Sequence, residues 1–306
     1  MMRLTFATRP SNLARWQTAF VMRKLQTAWP DLTCAEEVIV TRGDKVLDKP
    51  LPLIGGKGLF TAELEEALRA GRVQAAVHSL KDLPTEMPAD LTIGAIPPRV
   101  DPRDVLVSKD GLALDDLPPA ARVGTSSLRR AAQILALRPD LRIEPIRGNV
   151  ETRLRKLVEG QYDAVVFAAA GLLRLGLDQQ VGGLMRFLPV DEMLPAPGQG
   201  ALAVQCRAND DETLRLLATI HDASTALAVT AERAFLAALG GGCSVPVGAL
   251  GHQTTDSEQL TLTGLVAAPD GTQVIRVQGQ GSNPKELGRR LAEDALSQGA
   301  AALLAA

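Results

Sequence analysis

The residues best suited to chemistry are a cysteine on a glycine loop, Leu239-Gly240-Gly241-Gly242-Cys243-Ser244-Val245-Pro246. The chain has three cysteines, too few for a disulfide framework. Three glycines remove side chains and open positive φ to the backbone. A helical pattern stops just before them and a strand pattern starts just after. The loop therefore presents a thiol to which a bulky group could be attached. Reactivity at Cys243 requires thiolate, and thiolate requires positive surroundings.

Arginines supply that charge. Residues 122–156 carry nine cationic side chains against three acidic ones, a local net of +6 in a chain of net charge −2. Gly124-Thr125-Ser126-Ser127-Leu128-Arg129-Arg130 puts hydroxyls and free N–H groups at a helix start, with two arginines in its first turn. Helix N-termini attract anions and disfavour cations. Arginines placed there point to a bound polycarboxylate or phosphate. Arg147-Gly148-Asn149 precedes the next helix start, and Arg153 lies one turn in. Each guanidinium can hold a carboxylate through two hydrogen bonds. The plainer alternative is a solvated basic face that binds nucleic acid, but the segment lacks aromatic stacking residues.

A second cluster follows an apolar strand, in Ala75-Ala76-Val77-His78-Ser79-Leu80-Lys81-Asp82-Leu83-Pro84. Open α/β sheets place ligands at the carboxyl ends of strands. Lys81 can neutralise a carboxylate there. Asp82 can accept pyrrole-type N–H groups or stabilise a cation; equally, it can cap the next turn. Thr8-Arg9-Pro10-Ser11 also follows a strand and opens a helix. Gly55-Gly56-Lys57-Gly58-Leu59-Phe60 lacks P-loop spacing and reads as a mobile basic lid, with a phosphate cradle as the alternative. Thr41-Arg42-Gly43-Asp44 reads as a turn. Cys34 and Cys206 fall in or beside strand patterns and read as packing residues. His78 reads as a structural histidine.

These sites need a scaffold, and 306 residues suffice for two or three domains. Apolar content is 46% and charged content 22%, as in a soluble globular protein. Aromatics are only 3%, so the core must be aliphatic. The net charge argues against a bulk polyanion binder. His78, His221 and His252 show no zinc spacing, so no metal site is expected. The N-terminus enters a strand pattern at once, with no secretory or bilayer-spanning run, which predicts a cytoplasmic protein with reduced thiols.

Strand-like and helix-like segments alternate through the first two hundred residues, predicting parallel sheets with covering helices. The pattern predicts strands at 3–7, 37–41, 74–77, 91–96, 105–107, 142–145 and 163–168. It predicts helices at 12–28, 59–70, 126–137 and 150–159. Two Pro-rich joints, at 97–103 and 194–200, bracket one α/β unit. Residues 201–206 read as a strand returning to the first unit. The expected architecture is α/β, with two lobes joined by two crossovers and a cleft between them, plus a small α+β C-terminal domain. Residues 1–97 with 200–218 form the first domain, 98–199 the second, and 219–306 the third. In the third, a helix at 225–239, strands at 260–267 and 272–279, and a helix from Pro284 to about Leu304 are expected.

Taken together in order, the motifs resemble the porphobilinogen deaminase (hydroxymethylbilane synthase) family. They are Ala7-Thr8-Arg9 with Ser11, Leu13-Ala14 and Trp16-Gln17; Thr41 to Asp44; Gly55 to Phe60; His78-Ser79 with Lys81-Asp82; Asp101-Pro102-Arg103-Asp104; Gly124 to Arg130; Arg147-Gly148-Asn149; Ala170-Gly171 with Arg174-Leu175-Gly176; Pro197-Gly198-Gln199-Gly200; and Gly241-Gly242-Cys243. The resemblance covers essentially the whole chain. It implies two periplasmic-binding-protein-like lobes and a third domain bearing a dipyrromethane cofactor on Cys243 through a thioether. It implies a monomeric transferase of heme and tetrapyrrole biosynthesis that adds four porphobilinogens head to tail. Each addition loses ammonia, and water then releases hydroxymethylbilane.

By this resemblance, Ser79, Lys81, Asp82, Thr125, Ser126, Ser127, Arg129, Arg130, Gln199 and Gly200 belong to the cofactor site. Arg9, Ser11, Arg147, Arg153 and Arg174 hold substrate or the elongating chain. Asp82 is the catalytic carboxylate, stabilising the azafulvene cation left by deamination, and Lys57 lies on a lid. Each pyrrole carries an acetate and a propionate, which accounts for the arginines. The chain departs from the family habit at Asn12, Arg15, Gln205, Gly240 and Ser244. The competing classes are a non-catalytic two-lobed protein binding a small anion and a regulatory ligand-binding module of DNA-binding machinery.

Overall fold

A computed structural model describes residues 2–45, 58–241, 245–253 and 259–305. In chain order the main elements are β1 (Arg3–Thr8), α1 (Asn12–Ala28), β2 (Thr33–Val38), α2 (Ala62–Arg69), β3 (Ala75–Ser79), β4 (Leu91–Ala95), β5 (Asp104–Ser108) and β6 (Arg122–Gly124). They continue with α3 (Leu128–Leu137), β7 (Arg142–Glu144), α4 (Val150–Val158), β8 (Ala164–Ala168), α5 (Ala169–Leu175), β9 (Met185–Phe187) and β10 (Leu202–Arg207). The remainder comprises α6 (Asp211–Leu217), α7 (Ala223–Ala238), β11 (Val247–Gln253), β12 (Leu260–Ala267), β13 (Val274–Gly281), α8 (Pro284–Ser297) and α9 (Ala300–Ala305).

The chain divides into two compact units. Met1–Val100 with Ala201–Ala226 form the first, and Asp101–Gly200 with Leu227–Ala306 the second. The first unit holds one five-stranded sheet, ordered β2-β1-β3-β10-β4. Strands β1, β2 and β3 are parallel, and β10 runs antiparallel to β3. The returning strand expected at 201–206 is therefore present. The second unit repeats the arrangement as β7-β6-β8-β5-β9, again three parallel strands followed by an antiparallel one. In each sheet that antiparallel strand is where the chain arrives from the other unit. This is the two-lobed α/β class expected from the sequence.

The second unit also contains the small α+β domain, an antiparallel sheet β11-β12-β13 covered by helices. Its core gathers Phe235, Leu262, Val266, Leu287, Leu291 and Ala295. As expected from its 3% aromatic content, the cores are otherwise mainly aliphatic.

Strands β6 and β9 and helices α5 and α6 were not expected, and two expected elements are placed differently. The second strand is Thr33–Val38 rather than 37–41. Its register follows β1 residue for residue, from Arg3 with Thr33 to Thr8 with Val38. It is an edge strand, so its mixed composition hid it while the apolar Val38-Ile39-Val40 drew attention instead. The C-terminal helix is two helices, α8 and α9, broken at Gly299.

Helices α7 and α8 meet at Gly288. A methyl group there would lie 2.4 Å from the Ala231 carbonyl oxygen and 2.7 Å from the Ala234 Cβ. Alanine gains about 1 kcal/mol over glycine in a helix, but overpacking against fixed backbone costs about 1–3 kcal/mol. Gly288→Ala is expected to lower the melting temperature despite its better helix propensity; an unchanged or raised value would contradict this packing account.

Candidate anion-binding site

In the first unit the candidate residues follow the carboxyl ends of parallel strands. Arg9 follows β1, and Ser11 caps α1 by accepting a hydrogen bond from the Ala14 N–H at 3.2 Å. Ser79 ends β3, and Leu80–Asp82 form one turn of 3₁₀ helix. The Ser79 hydroxyl accepts from Gln17 Nε2 at 2.9 Å. Lys81 is half-buried and Asp82 exposed. The Arg9 guanidinium pairs with Asp44 and stacks on Phe60. Burial works to raise the Asp44 carboxyl, but its bonds from Arg9 and Thr41 prevail and hold it below the usual carboxylate range.

His78 is buried, with Nε2 3.1 Å from Gln205 Oε1. Burial pushes its pKa down to about 4, with Arg9 assisting and the Gln205 bond opposing. It is neutral near pH 7, in keeping with the structural reading.

In the second unit the sheet again presents its candidates after parallel strands. Thr125 to Ser127 follow β6, Arg147 follows β7, and α5, which carries Arg174, follows β8. Ser127 caps α3, accepting from the Arg130 N–H at 3.4 Å, while Thr125 Oγ1 accepts from the Ser127 N–H at 3.2 Å. Ser126 is bound both ways to Ile146, donating to its carbonyl at 2.8 Å and accepting from its N–H at 3.0 Å. Asn149 caps α4, and Arg153 Nε donates to the Gly148 carbonyl at 2.9 Å.

Arg129 and Arg130 are buried, and Asp104 lies between them fully buried. Arg129 Nη1 reaches Asp104 Oδ2 at 2.7 Å, and Arg130 Nη2 reaches Oδ1 at 2.7 Å. Gln199 Nε2 adds a bond to Oδ1 at 3.0 Å and one to the Pro102 carbonyl at 2.7 Å. Burial alone would raise the Asp104 pKa, but the two arginines outweigh it and hold the carboxyl far below the usual range. Asp104 belongs to a quoted motif, yet sequence reasoning gave it no role. Its signal was the adjacent arginine pair, which cannot be buried without a counter-charge.

Arg174 is buried too, but no carboxylate pairs with it among the described residues. Its Nη2 donates to the Gly200 carbonyl at 2.8 Å, while its Nε is buried without a hydrogen-bond partner. Burial pushes its pKa down to about 10. Arg129 Nε is likewise buried and unpartnered. The turn at 197–200 that supplies Gln199 and Gly200 is tied to Glu232, which accepts from the Gly198 N–H at 2.6 Å and the Gly251 N–H at 2.8 Å. Sequence reasoning missed Glu232 as well. Lys57 and Cys243 lie outside the described residues, as do Gly55 and Gly56.

Cationic groups at strand ends, some with unused buried donors, fit a ligand rich in carboxylates. The fold is that of a two-lobed α/β protein, and these residues form its candidate anion-binding groups. Two family models match, "Porphobilinogen deaminase, dipyromethane cofactor binding domain" over residues 4–215 and "Porphobilinogen deaminase, C-terminal domain" over residues 226–297. A porphobilinogen deaminase from a Roseiflexus species is 56% identical over 99% of this chain and 98% of its own length. One from Brevibacillus brevis is 53% identical over 97% of this chain and 95% of its own length. The chain belongs to the porphobilinogen deaminase family. It is a transferase of tetrapyrrole biosynthesis, with porphobilinogen as substrate and a dipyrromethane cofactor.

Asp104→Asn removes the one carboxylate that two buried guanidinium groups share, a loss of about 3–5 kcal/mol. Because the folded Asp104 pKa is depressed, its contribution is complete above the unfolded value of about 3.9 and is lost as pH falls. Urea unfolding of wild type and variant is expected to differ most at neutral pH and to converge below pH ~4. A difference that does not change with pH would contradict this assignment.

Proposed function

We propose that the chain condenses four porphobilinogens head to tail on dipyrromethane, losing ammonia each time, and that water then releases hydroxymethylbilane. The observation carrying the site assignment is Arg174, a buried guanidinium with an unpartnered Nε and no carboxylate of its own among the described residues. A buried cation of this kind is costly unless a ligand anion completes it. The acetate and propionate of each pyrrole are such anions.

The donor set suits the cofactor. Ser79, Lys81, Thr125, Ser126, Ser127, Arg129 and Arg130 would hold its carboxylates, with Gln199 and Gly200 fixing the adjoining turn. Cys243 would hold dipyrromethane by a thioether, and the group would supply a nucleophilic pyrrole carbon for the first substrate. Arg9, Ser11, Arg147, Arg153 and Arg174 would orient incoming porphobilinogen by its carboxylates. Asp82, exposed at the end of β3, would accept pyrrole N–H groups and stabilise the substrate cation formed as ammonia leaves.

We assign three domains, 1–97 with 200–218, 98–199 and 219–306. We place the enzyme in the cytoplasm as a monomer without nucleic-acid or membrane partners. No helix among the described residues is long and apolar enough to cross a membrane.

Intact mass tests the attachment. Wild-type protein is expected to carry a two-pyrrole adduct that Cys243→Ser lacks. An adduct on both would move the attachment elsewhere; none on either after incubation with porphobilinogen would remove the catalytic reading. Asp82→Asn is expected to keep the adduct and lose turnover by about 100-fold or more, whereas near wild-type turnover would exclude its role. Arg174→Met is expected to leave unfolding stability within about 1 kcal/mol, because it removes an uncompensated charge, while the turnover rate falls sharply. A large stability loss with turnover intact would make Arg174 structural.

A further inference from the structure

The motif Thr41-Arg42-Gly43-Asp44 reads from sequence as a turn, and the structure gives it more to do. Arg9 Nε donates to Asp44 Oδ2 at 3.2 Å, and Arg9 Nη2 pairs with Asp44 Oδ1. The guanidinium carbon lies 4.1 Å from the centre of the Phe60 ring. One edge of the Arg9 fork is therefore held by a carboxylate and one face is covered by an aromatic ring. Of its five N–H donors, those at the far end of the fork have no partner among the described residues and can serve a second carboxylate.

Both holders are themselves fixed. Asp44 Oδ2 also accepts from the Thr41 N–H at 3.1 Å and the Thr41 hydroxyl at 2.8 Å. Gly43 donates its N–H to the Leu59 carbonyl at 3.0 Å. A Cβ on Gly43 would fall 2.0–2.7 Å from three Phe60 ring carbons. Only glycine lets the ring lie where it covers Arg9.

We propose that Asp44 and Phe60 are positioning residues that orient Arg9 to receive a carboxylate of porphobilinogen or of the growing chain. The proposal rests on the substrate-binding reading of Arg9. A carboxylate beside Arg9 could instead act as a rival to the substrate. Two features weigh against rivalry. Thr41 holds the Asp44 carboxylate and shares its charge, and Phe60 fixes a ring orientation that a mere competitor does not require. An unheld arginine samples many rotamers, and a ligand must then freeze them at the expense of affinity.

The test uses holoenzyme incubated with graded porphobilinogen. Intact mass gives the concentration at which half the protein has gained its next pyrrole unit, so slow variants still report. Four proteins are compared: wild type, Asp44→Asn, Arg9→Lys and the double variant, with Phe60→Leu alongside. Asp44→Asn is expected to raise the half-saturating concentration about tenfold. It is expected to add nothing in the Arg9→Lys background, and Phe60→Leu is expected to shift it in the same direction. A lower value for Asp44→Asn would make Asp44 a rival anion and overturn the proposal. Effects of Asp44 and Arg9 that multiply independently would overturn it too, as would a fall in melting temperature with saturation unchanged. If Arg9→Lys alone leaves saturation unchanged, the substrate-binding reading of Arg9 fails, and that result needs no Asp44 variant.

Discussion

Arg129 and Arg130 stand buried at the start of a helix, and a single carboxylate makes that possible. Asp104 pairs with both, and its position at the first residue of β5 places it beside the start of α3. Without it, two guanidinium groups would oppose each other and the positive end of the helix dipole. Gln199 extends the same network to the turn at 197–200, and the Gly200 carbonyl in that turn holds Arg174. Glu232 then ties the turn to β11 through Gly251. The buried arginines and the turn at 197–200 are thus held together by two buried carboxylates, Asp104 and Glu232.

The arginines divide by how their charge is met. Arg129 and Arg130 have a protein carboxylate in a dry setting, where pairing fixes geometry. Arg9 has one in a wetter setting, its side chain 25% exposed, where an ion pair contributes little stability and chiefly fixes direction. Arg174 has none among the described residues, and burial has already lowered its hold on its proton. The sheets explain why these groups sit where they do. Three parallel strands in each sheet end at one edge, so the loops after them collect there.

Much of this was legible in the sequence because it depends on local pattern. Asn12–Ala28 was readable as a helix from its spacing and from the break at Trp29-Pro30. The strand at 202–207 was readable as a return because a Pro-rich joint precedes it. The candidate donors Thr125 to Arg130 were readable from their place at a helix start. What could not be read was which polar groups the protein uses on itself. Ser126 is bound to Ile146 across twenty positions, and Asp104 lies twenty-five positions from Arg129. Those partnerships follow from strand order, which periodicity does not encode. The strand Thr33–Val38 was misplaced for a related reason, since an edge strand takes its register from its neighbour.

Gln205 illustrates how one departure from a family habit is absorbed. Its amide oxygen faces His78 Nε2 at 3.1 Å, so the histidine donates from that nitrogen, and its amide nitrogen donates to Glu65 Oε1 at 3.1 Å. A glutamate in its place would set a second carboxylate against Glu65 in a buried site. Like charges there would force a proton onto one carboxyl or onto His78. The amide satisfies a neutral ring and an acidic neighbour at once, with no charge to desolvate. A neutral His78 adds no cation beneath Ser79. The candidate cations of this first-unit cluster are therefore Lys81 and the Asp44-paired Arg9.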